Sequence, residues 1–552
     1  MDPAEALVKV RFVRNVSVNS RLKAVAFNWN RDGKWDVFLA TGERVEKLTG
    51  GRDSYLEPEI SPQGDVIAYL KDRDGDENFQ VILRDLASGR EEDVTKSSQH
   101  YHFSPTFSPD GSKIAFTSNR GGLPSQLFVI EDGKLRELTR WREPITSFSW
   151  ASRNEIVYTR GIYNTELRLL DLDGRDELLL HFEGSDTYVS DAREGRALFI
   201  SNVNGWNDVG EVDLRSREVS WIYRDETEKG PARYAQEGIL VLRYRAGRNE
   251  LVKVEGGRAE VVEGNVEEFD IDKDLLALVK SSSTVPSALY LNGEKLVDTT
   301  PQLPLVSAEI TRYRSFDGLE IEAVVFRPKS WNGDAVIYIH GGPDAHMYDA
   351  WCPLCQLLAM DGFLVIAPNY RGSTGYGKRF LHLNDKDLGG GDMRDVVSAA
   401  RLARSMGARR VFAAGGSYGG YLTALAMVKE PAEWDGGIAI VGFYNWYTEY
   451  EKEADYLKAY DDMKMDPSLF RDRSPIFHLE KLSAPILFLH GANDPRCPVE
   501  EVKQMAQELD KMGKRYELKI YEDEGHGIRR DENRIDMYRR ILSFLRALRE
   551  QG

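Results

Sequence analysis

The chain has 552 residues, and at about 100–200 residues per domain this length predicts two or more domains. Hydrophobic residues make up 41% of the chain and charged residues 29%, which is typical of a globular protein and excludes a fibrous or disordered class. The formal net charge is −16. A general nucleic-acid binder is therefore excluded, because such a protein needs a basic face for phosphates.

Targeting signals and cysteines point to a protein of the cytoplasm. No run of 18 apolar residues occurs, so we expect no membrane-spanning helix. The first residues, Met-Asp-Pro-Ala-Glu-Ala, lack a basic region followed by an apolar one, so we expect no secretory signal. With three cysteines no disulfide framework is expected. Cys352 and Cys355 form a C-x-x-C that lacks a second pair for zinc, and we expect it on a helix.

The N-terminal half carries a repeat of short strands and turns. Ile60-Ser-Pro-Gln-Gly-Asp65 and Phe107-Ser-Pro-Asp-Gly-Ser112 each lead into an apolar strand. With weaker copies, the repeat starts near residues 17, 61, 108, 149, 190, 235 and 271. Intervals of 36 to 47 residues with about four strands per copy are typical of β-propeller blades.

Seven copies predict a seven-bladed propeller over residues 16–305, after an N-terminal extension over residues 1–15. Because the last three copies match poorly, six or eight blades stay open. Two stacked β-sandwiches are the other interpretation, but unrelated sandwiches have no reason to reuse one Ser-Pro-Asp/Gln-Gly turn.

Residues 306–552 have a different pattern, in which apolar strands alternate with helical stretches. Asp317-Gly318 is a hairpin signal near the start of this region. The short apolar runs typical of buried strands are 335–339, 363–367, 411–414, 438–441 and 486–489. This alternation predicts one large α/β domain, with a mostly parallel sheet covered by helices on both faces.

The segment Gly415-Gly-Ser-Tyr-Gly-Gly420 lies between the strand at 411–414 and a helix predicted over 421–429. In this context G-x-S-x-G is the nucleophile elbow of an α/β-hydrolase. Side chains in place of Gly415 or Gly419 would collide with neighbouring elements. Ser417 is therefore the candidate nucleophile.

A serine hydroxyl needs a base to take its proton, and in this fold the acid and then the base follow the serine along the chain. Asp494 lies just past the strand at 486–489, and His526 lies between two glycines before the last helix. We expect His526 to be the base and Asp494 to hold its tautomer. The competing residues are His478, which no strand precedes, and Asp523, which is too close in sequence to His526.

An oxyanion hole is expected from two backbone N–H groups. One belongs to Tyr418, directly after the nucleophile. The other belongs to the loop His340-Gly-Gly-Pro343, directly after the strand at 335–339. Glycines in that loop allow the backbone to approach a developing alkoxide.

Five motifs in the C-terminal half are specific when taken together: His340-Gly-Gly-Pro343, Asn369-Tyr-Arg-Gly-Ser-Thr-Gly-Tyr-Gly377, Gly415-Gly-Ser-Tyr-Gly-Gly420, Asn493-Asp-Pro-Arg496 and Gly525-His-Gly527. They resemble the prolyl oligopeptidase family, above all its acylaminoacyl-peptidase subgroup. That family caps an α/β-hydrolase domain with a propeller. The resemblance implies that Ser417, Asp494 and His526 form its triad, and that Gly342 and Tyr418 supply the oxyanion N–H groups.

The resemblance also implies two substrate contacts. Arg496 resembles the arginine that binds a substrate carbonyl upstream of the scissile bond, and a salt-bridged loop arginine is the alternative. Trp446 resembles part of the apolar wall of the first specificity pocket, and core packing is the alternative. Dipeptidyl peptidases of the family hold the substrate amine with paired glutamates on a helical insertion. Neither Glu91-Glu92 nor Glu267-Glu268 lies on one, so dipeptide removal is disfavoured.

We therefore expect a serine peptidase that hydrolyses short peptides, N-acylated ones among them, through an acyl-enzyme and without metal or cofactor. A carboxylesterase with the same triad is one alternative. A propeller-based interaction scaffold with a vestigial hydrolase domain is another. Neither nucleic acid nor membrane is an expected partner. The side-chain preference, exo- or endo-cleavage and assembly into a homo-oligomer are left open.

Overall fold

The structure is a computed structural model that describes residues 2–193 and 195–550. Within these residues the N-terminal half forms seven four-stranded antiparallel sheets, each built from consecutive strands. The seven-bladed propeller is therefore confirmed, and the alternatives of six blades, eight blades or two sandwiches are wrong. The repeat starts expected from the sequence fall within or just after the first strand of each blade.

The propeller strands β1 to β28 follow one another in chain order, four to a blade. Their bounds are Val13–Asn19, Ala24–Trp29, Asp36–Thr41 and Arg44–Lys47 in blade 1; Ser54–Ile60, Val66–Asp72, Gln80–Asp85 and Glu91–Asp93 in blade 2; His102–Phe107, Lys113–Ser118, Gln126–Glu131 and Lys134–Glu137 in blade 3; Ile145–Trp150, Glu155–Arg160, Glu166–Asp171 and Asp176–His181 in blade 4; Thr187–Arg193, Arg196–Ser201, Asp208–Asp213 and Val219–Tyr223 in blade 5; Glu228–Tyr234, Ile239–Arg245, Arg248–Glu255 and Arg258–Gly264 in blade 6; and Val266–Asp272, Leu275–Ser282, Val285–Leu291 and Glu294–Val297 in blade 7.

The repeated serine explains why the same turn recurs between the first two strands of a blade. Ser61 Oγ accepts the N–H of Val66 at 3.1 Å and donates to Asp65 Oδ1 at 2.7 Å. In the next blade Ser108 Oγ accepts the N–H of Lys113 at 3.1 Å. A serine side chain that bonds to nearby backbone closes the turn without help from other blades, so blades 2 and 3 form it locally.

The ring closes between blade 7 and blade 1 through side chains. Buried residues of both blades, Val25 and Phe38 with Val279 and Leu289 among them, share one apolar cluster. Backbone N–H groups of blade 1 also donate to carboxylates of β25, in the pairs Asn15 to Glu268 at 2.6 Å, Val18 to Asp270 at 2.9 Å and Ser20 to Asp272 at 2.7 Å. These bonds fix the register of the first strand against the last blade.

The C-terminal half is built on one eight-stranded sheet with the order β29-β30-β32-β31-β33-β34-β35-β36. The pairs β29–β30 and β30–β32 are antiparallel, and the remaining pairs are parallel. The mostly parallel sheet of an α/β-hydrolase is therefore confirmed. The strands in chain order are Ala308–Arg314, Glu320–Phe326, Asp334–Ile339, Leu364–Pro368, Arg410–Gly416, Gly436–Ile440, Ile486–Gly491 and Tyr516–Tyr521.

Helices cover both faces of this sheet and enclose two apolar cores. Numbered α1 to α10 along the chain, they are Pro3–Val8, Pro353–Met360, Gly377–Leu381, Gly391–Ser405, Tyr418–Lys429, Trp446–Lys452, Asp455–Lys464, Phe470–Arg473, Val499–Lys511 and Asp531–Glu550. Short 3₁₀ turns occupy His382–Asn384, Pro431–Glu433, Pro467–Leu469 and Pro475–Lys481. Over residues 2–193 and 195–550, no helix has both the length and the apolar character that crossing a bilayer requires.

Although α1 precedes the propeller in sequence, it packs on the hydrolase domain. Its apolar side chains join α2 and α10 in the core on one face of the large sheet. Leu7 is fully buried there, and Asp2 caps the helix by accepting the N–H of Ala4 at 3.0 Å. The first and last helices, α1 and α10, therefore pack in the same core.

Leu7→Ala is expected to destabilise the hydrolase domain by about 2–5 kcal/mol, because a buried leucine loses its contacts and leaves a cavity. The measurement is the unfolding transition of that domain in urea. Met512→Ala is the control, since Met512 is exposed and its truncation should change the free energy by less than about 0.5 kcal/mol. Equal effects of the two changes would show that α1 does not contribute to this core.

Candidate active site

Ser417 lies on a sharp turn between β33 and α5 at the carboxyl edge of the sheet. Its φ is 56° and its ψ is −125°, a backbone conformation that a non-glycine residue adopts only when its surroundings impose it. A Cβ at position 415 would lie 2.5 Å from the carbonyl oxygen of Gly419, and one at position 419 would lie 2.0 Å from that of Ile339. The flanking glycines therefore allow the strand, the turn and the helix to approach closely.

Ser417, His526 and Asp494 form one continuous chain of hydrogen bonds. His526 Nε2 lies 2.9 Å from Ser417 Oγ. His526 Nδ1 lies 3.0 Å and 2.9 Å from the two carboxylate oxygens of Asp494. Three residues far apart in the sequence thus meet at the ends of β33, β35 and β36, in the arrangement that a serine nucleophile requires.

The carboxylate of Asp494 is fully buried but has several donors. Besides His526, the backbone N–H groups of Arg496 and Cys497 donate to Oδ1, both at 2.9 Å. Burial alone would raise the pKa of this carboxyl, but the neighbouring His526 and the Cys497 N–H lower it below its usual value. Asp494 is therefore ionised where it faces the imidazole.

The two competing residues lie elsewhere. His478 is on the outside of the domain, with Nε2 bonded to the carbonyl of Asp472 at 2.9 Å. Asp523 forms an ion pair with Arg530 at 2.9 Å and accepts from Asn533 at 3.0 Å. Neither has a hydrogen bond to Ser417 or His526 among those of the described residues.

The loop after β31 lies directly against the serine. A Cβ at Gly341 would be 3.2 Å from Ser417 Cβ. His340 fixes this loop, since its Nε2 is bonded to Ser373 Oγ at 2.9 Å and its carbonyl accepts from the Tyr370 hydroxyl at 2.8 Å. Burial lowers the pKa of His340 to about 4, so the ring is neutral.

A cavity of 160 Å³ opens beside Ser417 and contains both expected oxyanion residues, Gly342 and Tyr418, on its wall. Tyr418 is the first residue of α5, where a backbone N–H has no acceptor within the helix. Trp446 also lines the cavity. It is buried, and its indole N–H donates to Tyr421 at 3.1 Å. The tryptophan therefore packs in the core and forms part of the cavity wall.

Arg496 lies on the same wall but has a partner that the sequence analysis missed. Its Nε donates to Glu77 of blade 2 at 2.8 Å. The hydroxyl of Tyr456 donates to the same carboxylate oxygen at 3.2 Å. Glu77 is 419 residues away in the sequence, so no local pattern pointed to it. The contact brings the propeller to the edge of the cavity.

Three acidic residues that no sequence motif indicated also line this cavity: Glu449, Glu453 and Asp461. All three are buried and lie on or beside α6 and α7. Among residues 2–193 and 195–550, no group of His, Cys, Asp and Glu side chains is arranged to hold a metal ion. The only available signal was the density of acidic residues between 449 and 462, which is equally typical of an exposed helix.

Cys352 and Cys355 are joined by a disulfide at the start of α2. They lie on the helix expected for them, but their pairing was not expected from three cysteines. Cys497 is unpaired and buried on the cavity wall, and burial raises the pKa of its thiol well above the usual value. Disulfides are rare in the cytoplasm of mesophiles, and the cytoplasmic location stays a prediction.

Comparison with known proteins agrees with this architecture. Residues 354–551 match the model of the prolyl oligopeptidase family, and residues 34–261 match that of the TolB beta propeller domain. Two solved structures share the fold over 98% of the chain. They are a puromycin-hydrolyzing peptidase of Mycobacterium tuberculosis, with TM-score 0.86, 19% identity and 94% of its own chain covered, and an acylaminoacyl peptidase of Pyrococcus horikoshii, with TM-score 0.76, 21% identity and 97% covered.

Two curated relatives extend the likeness to sequence. Dipeptidyl peptidase family member 6 of Caenorhabditis elegans is 29% identical over 328 residues, which is 51% of this chain and 44% of the relative. Dipeptidyl aminopeptidase BIII of Pseudoxanthomonas mexicana is 26% identical over 606 residues, 94% of this chain and 84% of the relative. The match thus spans less than half of the first relative and most of the second. Residues 354–551 are therefore a prolyl oligopeptidase family domain, which the chain combines with a β-propeller.

Proposed function

We propose that the chain is a serine peptidase that hydrolyses short peptides, with Ser417 as nucleophile, His526 as base and Asp494 as the acid that orients it. The observation that carries the proposal is the continuous hydrogen-bond chain from Ser417 Oγ through His526 to the ionised Asp494. The prolyl oligopeptidase family domain supports the reaction class. The names of the relatives, dipeptidyl peptidases and acylaminoacyl peptidases, support a peptide substrate.

In this mechanism His526 Nε2 takes the proton of Ser417 as its oxygen attacks the carbonyl carbon. The N–H groups of Gly342 and Tyr418 stabilise the negative charge that develops on the carbonyl oxygen. His526 then gives the proton to the leaving amine, and an acyl-enzyme remains. Water attacks this ester with His526 again as base, which releases the acid product and restores the serine.

The position of the propeller supports short substrates. Glu77 of blade 2 contacts Arg496 on the cavity wall, and Tyr163 of blade 4 donates to Asp344 just after the oxyanion loop. The propeller therefore reaches the site at two points. A chain that enters such a site must do so without its own folded structure.

Asp494→Asn should reduce peptide turnover by a factor on the order of 10³ or more, because an amide cannot stabilise the imidazolium or hold the required tautomer. The measurement is kcat/KM on a short chromogenic peptide, with the rate of fluorophosphonate labelling of Ser417 as a second readout. Asp523→Asn is the matched control and should change either rate by less than tenfold. A larger loss with Asp523→Asn than with Asp494→Asn would assign the acid to residue 523.

Arg496→Ala should lower kcat/KM on an acyl-peptide anilide about 10- to 100-fold more than on p-nitrophenyl acetate. The ester has no upstream carbonyl to bind, and a charge-assisted hydrogen bond is worth about 1.5–3 kcal/mol. Arg529→Ala is the control. Arg529 also contacts blade 2, at Asp72, and its loss should affect both substrates equally. Equal losses with Arg496→Ala would mean that Arg496 only anchors the propeller. Hydrolysis of the ester without measurable hydrolysis of any peptide by the wild type would favour a carboxylesterase.

Substrate length should limit cleavage. One acyl-peptide extended stepwise is expected to lose kcat/KM steeply beyond a few tens of residues, and casein should resist the pure enzyme. The comparison is made by mass spectrometry of the products, with Ser417→Ala as the blank. Efficient casein digestion that disappears in Ser417→Ala would contradict the enclosed site and leave the triad intact.

A further inference from the structure

The cavity beside Ser417 has three carboxyl groups among its lining residues. Glu449 lies in α6, Glu453 is the residue that directly follows this helix, and Asp461 lies in α7. All three line the same cavity as Ser417 and Gly342. A residue whose carbonyl occupies the oxyanion hole would place its side chain in this space.

These carboxylates have unsatisfied oxygens. Glu449 is 3% exposed and Glu453 is 6% exposed, and Glu449 Oε2 and Glu453 Oε1 have no hydrogen-bond partner. Within the described part of the chain, no lysine, arginine or histidine forms an ion pair with Glu449, Glu453 or Asp461. Burial raises the pKa of all three carboxyls, and repulsion from a neighbouring carboxylate adds to the rise at each of them. A buried carboxylate without a counter-charge is costly, and a cation entering the cavity would remove that cost.

The nearby cations already have partners. Arg496 lines the cavity but is bonded to Glu77 at 2.8 Å, and Lys464 is paired with Asp385 at 2.6 Å. Lys458, which lies close enough to Glu453 to lower its pKa slightly, donates to the carbonyl of Glu451 at 3.0 Å on the surface. In the described part of the chain, no basic side chain therefore forms an ion pair with the three cavity acids.

Apolar side chains also line the cavity. Trp446, Phe443 and Leu457 line it. Glu449 follows Trp446 by three residues in α6, so the two side chains lie on one face of the helix, about one turn apart. A long aliphatic side chain of a substrate would thus pack along the aromatic surface, with its end at a carboxylate.

We infer that this cavity binds the cationic side chain of lysine or arginine in the residue that supplies the scissile carbonyl, with Glu449 and Glu453 as the groups that recognise it. The inference rests on the proposed peptidase function and names its substrate class. The apolar wall fits the methylene stem of such a side chain, and the unpartnered oxygens fit its ammonium or guanidinium. An α-ammonium on the same residue would lie closer to the scissile carbonyl than Glu449 and Glu453 do.

The test compares matched N-acetylated tripeptide amides of 7-amino-4-methylcoumarin that differ only in the last residue: lysine, norleucine or acetyl-lysine. Acetylation of the N-terminus removes the α-ammonium of the peptide. Norleucine keeps the aliphatic stem of lysine but lacks its positive charge. We expect kcat/KM for lysine to exceed that for norleucine by about tenfold or more, as for a buried charge pair, and acetyl-lysine to behave like norleucine. Equal or better cleavage of norleucine would overturn the inference, as would cleavage only of unblocked amino-acid amides.

Glu449→Gln should lower kcat/KM for the lysine peptide and reduce the lysine-to-norleucine ratio at least about fivefold. Glu453→Gln tests the same expectation if the first variant fails to fold. Glu451→Gln is the matched control on the exposed side of α6 and should leave the ratio unchanged. An unchanged ratio in both cavity variants would overturn the assignment of these acids.

Fluorophosphonate labelling of Ser417 in the wild-type enzyme separates this inference from the proposed function. A labelled enzyme that prefers norleucine contradicts only the cationic pocket. An enzyme that neither reacts with the probe nor cleaves any of the peptides contradicts the proposed function itself.

Discussion

The geometry of the site depends on a carboxylate that is buried and nevertheless ionised. The side chain of Asp494 has no exposed surface, and three donors, His526 Nδ1 and the N–H groups of Arg496 and Cys497, offset the cost of burying its charge. With the acid ionised, His526 is held with Nδ1 toward Asp494 and Nε2 toward Ser417. Removing any of these donors would weaken the orientation of the base before it changed the fold.

The same segment joins the propeller to the site. The backbone of Arg496 holds Asp494, while its side chain contacts Glu77 of blade 2. Arg529, three residues after His526, contacts Asp72 of the same blade at 2.6 Å. Residues beside the acid and beside the base are therefore both tied to blade 2. A movement of the propeller would be transmitted to the acid and the base together, which provides a physical link between domain position and the alignment of the triad.

The sequence predicted the parts of this molecule that are specified locally. The serine turns of blades 2 and 3 bond within themselves, as at Ser61, so these copies of the repeat were visible without any knowledge of the ring. The strained turn at Ser417 requires glycines at fixed positions, and strand ends located Asp494 and His526. The contact of Arg496 with Glu77 and the pairing of Cys352 with Cys355 left no such pattern, because each depends on how distant or adjacent groups are packed in space.

The acids of the cavity were the hardest to predict, for an energetic reason. Glu449 and Glu453 lie in a stretch rich in charge that is typical of an exposed helix, yet both are buried with unpartnered oxygens. The charge of Asp494 is close enough to raise the pKa of Glu449. The two carboxyls nevertheless differ, because Asp494 has donors that lower its pKa, whereas Glu449 has no donor to its carboxyl among the described residues and its pKa is raised. Neutral side chains at 449 and 453 would be buried at lower cost. Buried acids without a counter-charge lower the stability of the unliganded protein. Such a cost is expected at a site where a ligand supplies the missing charge.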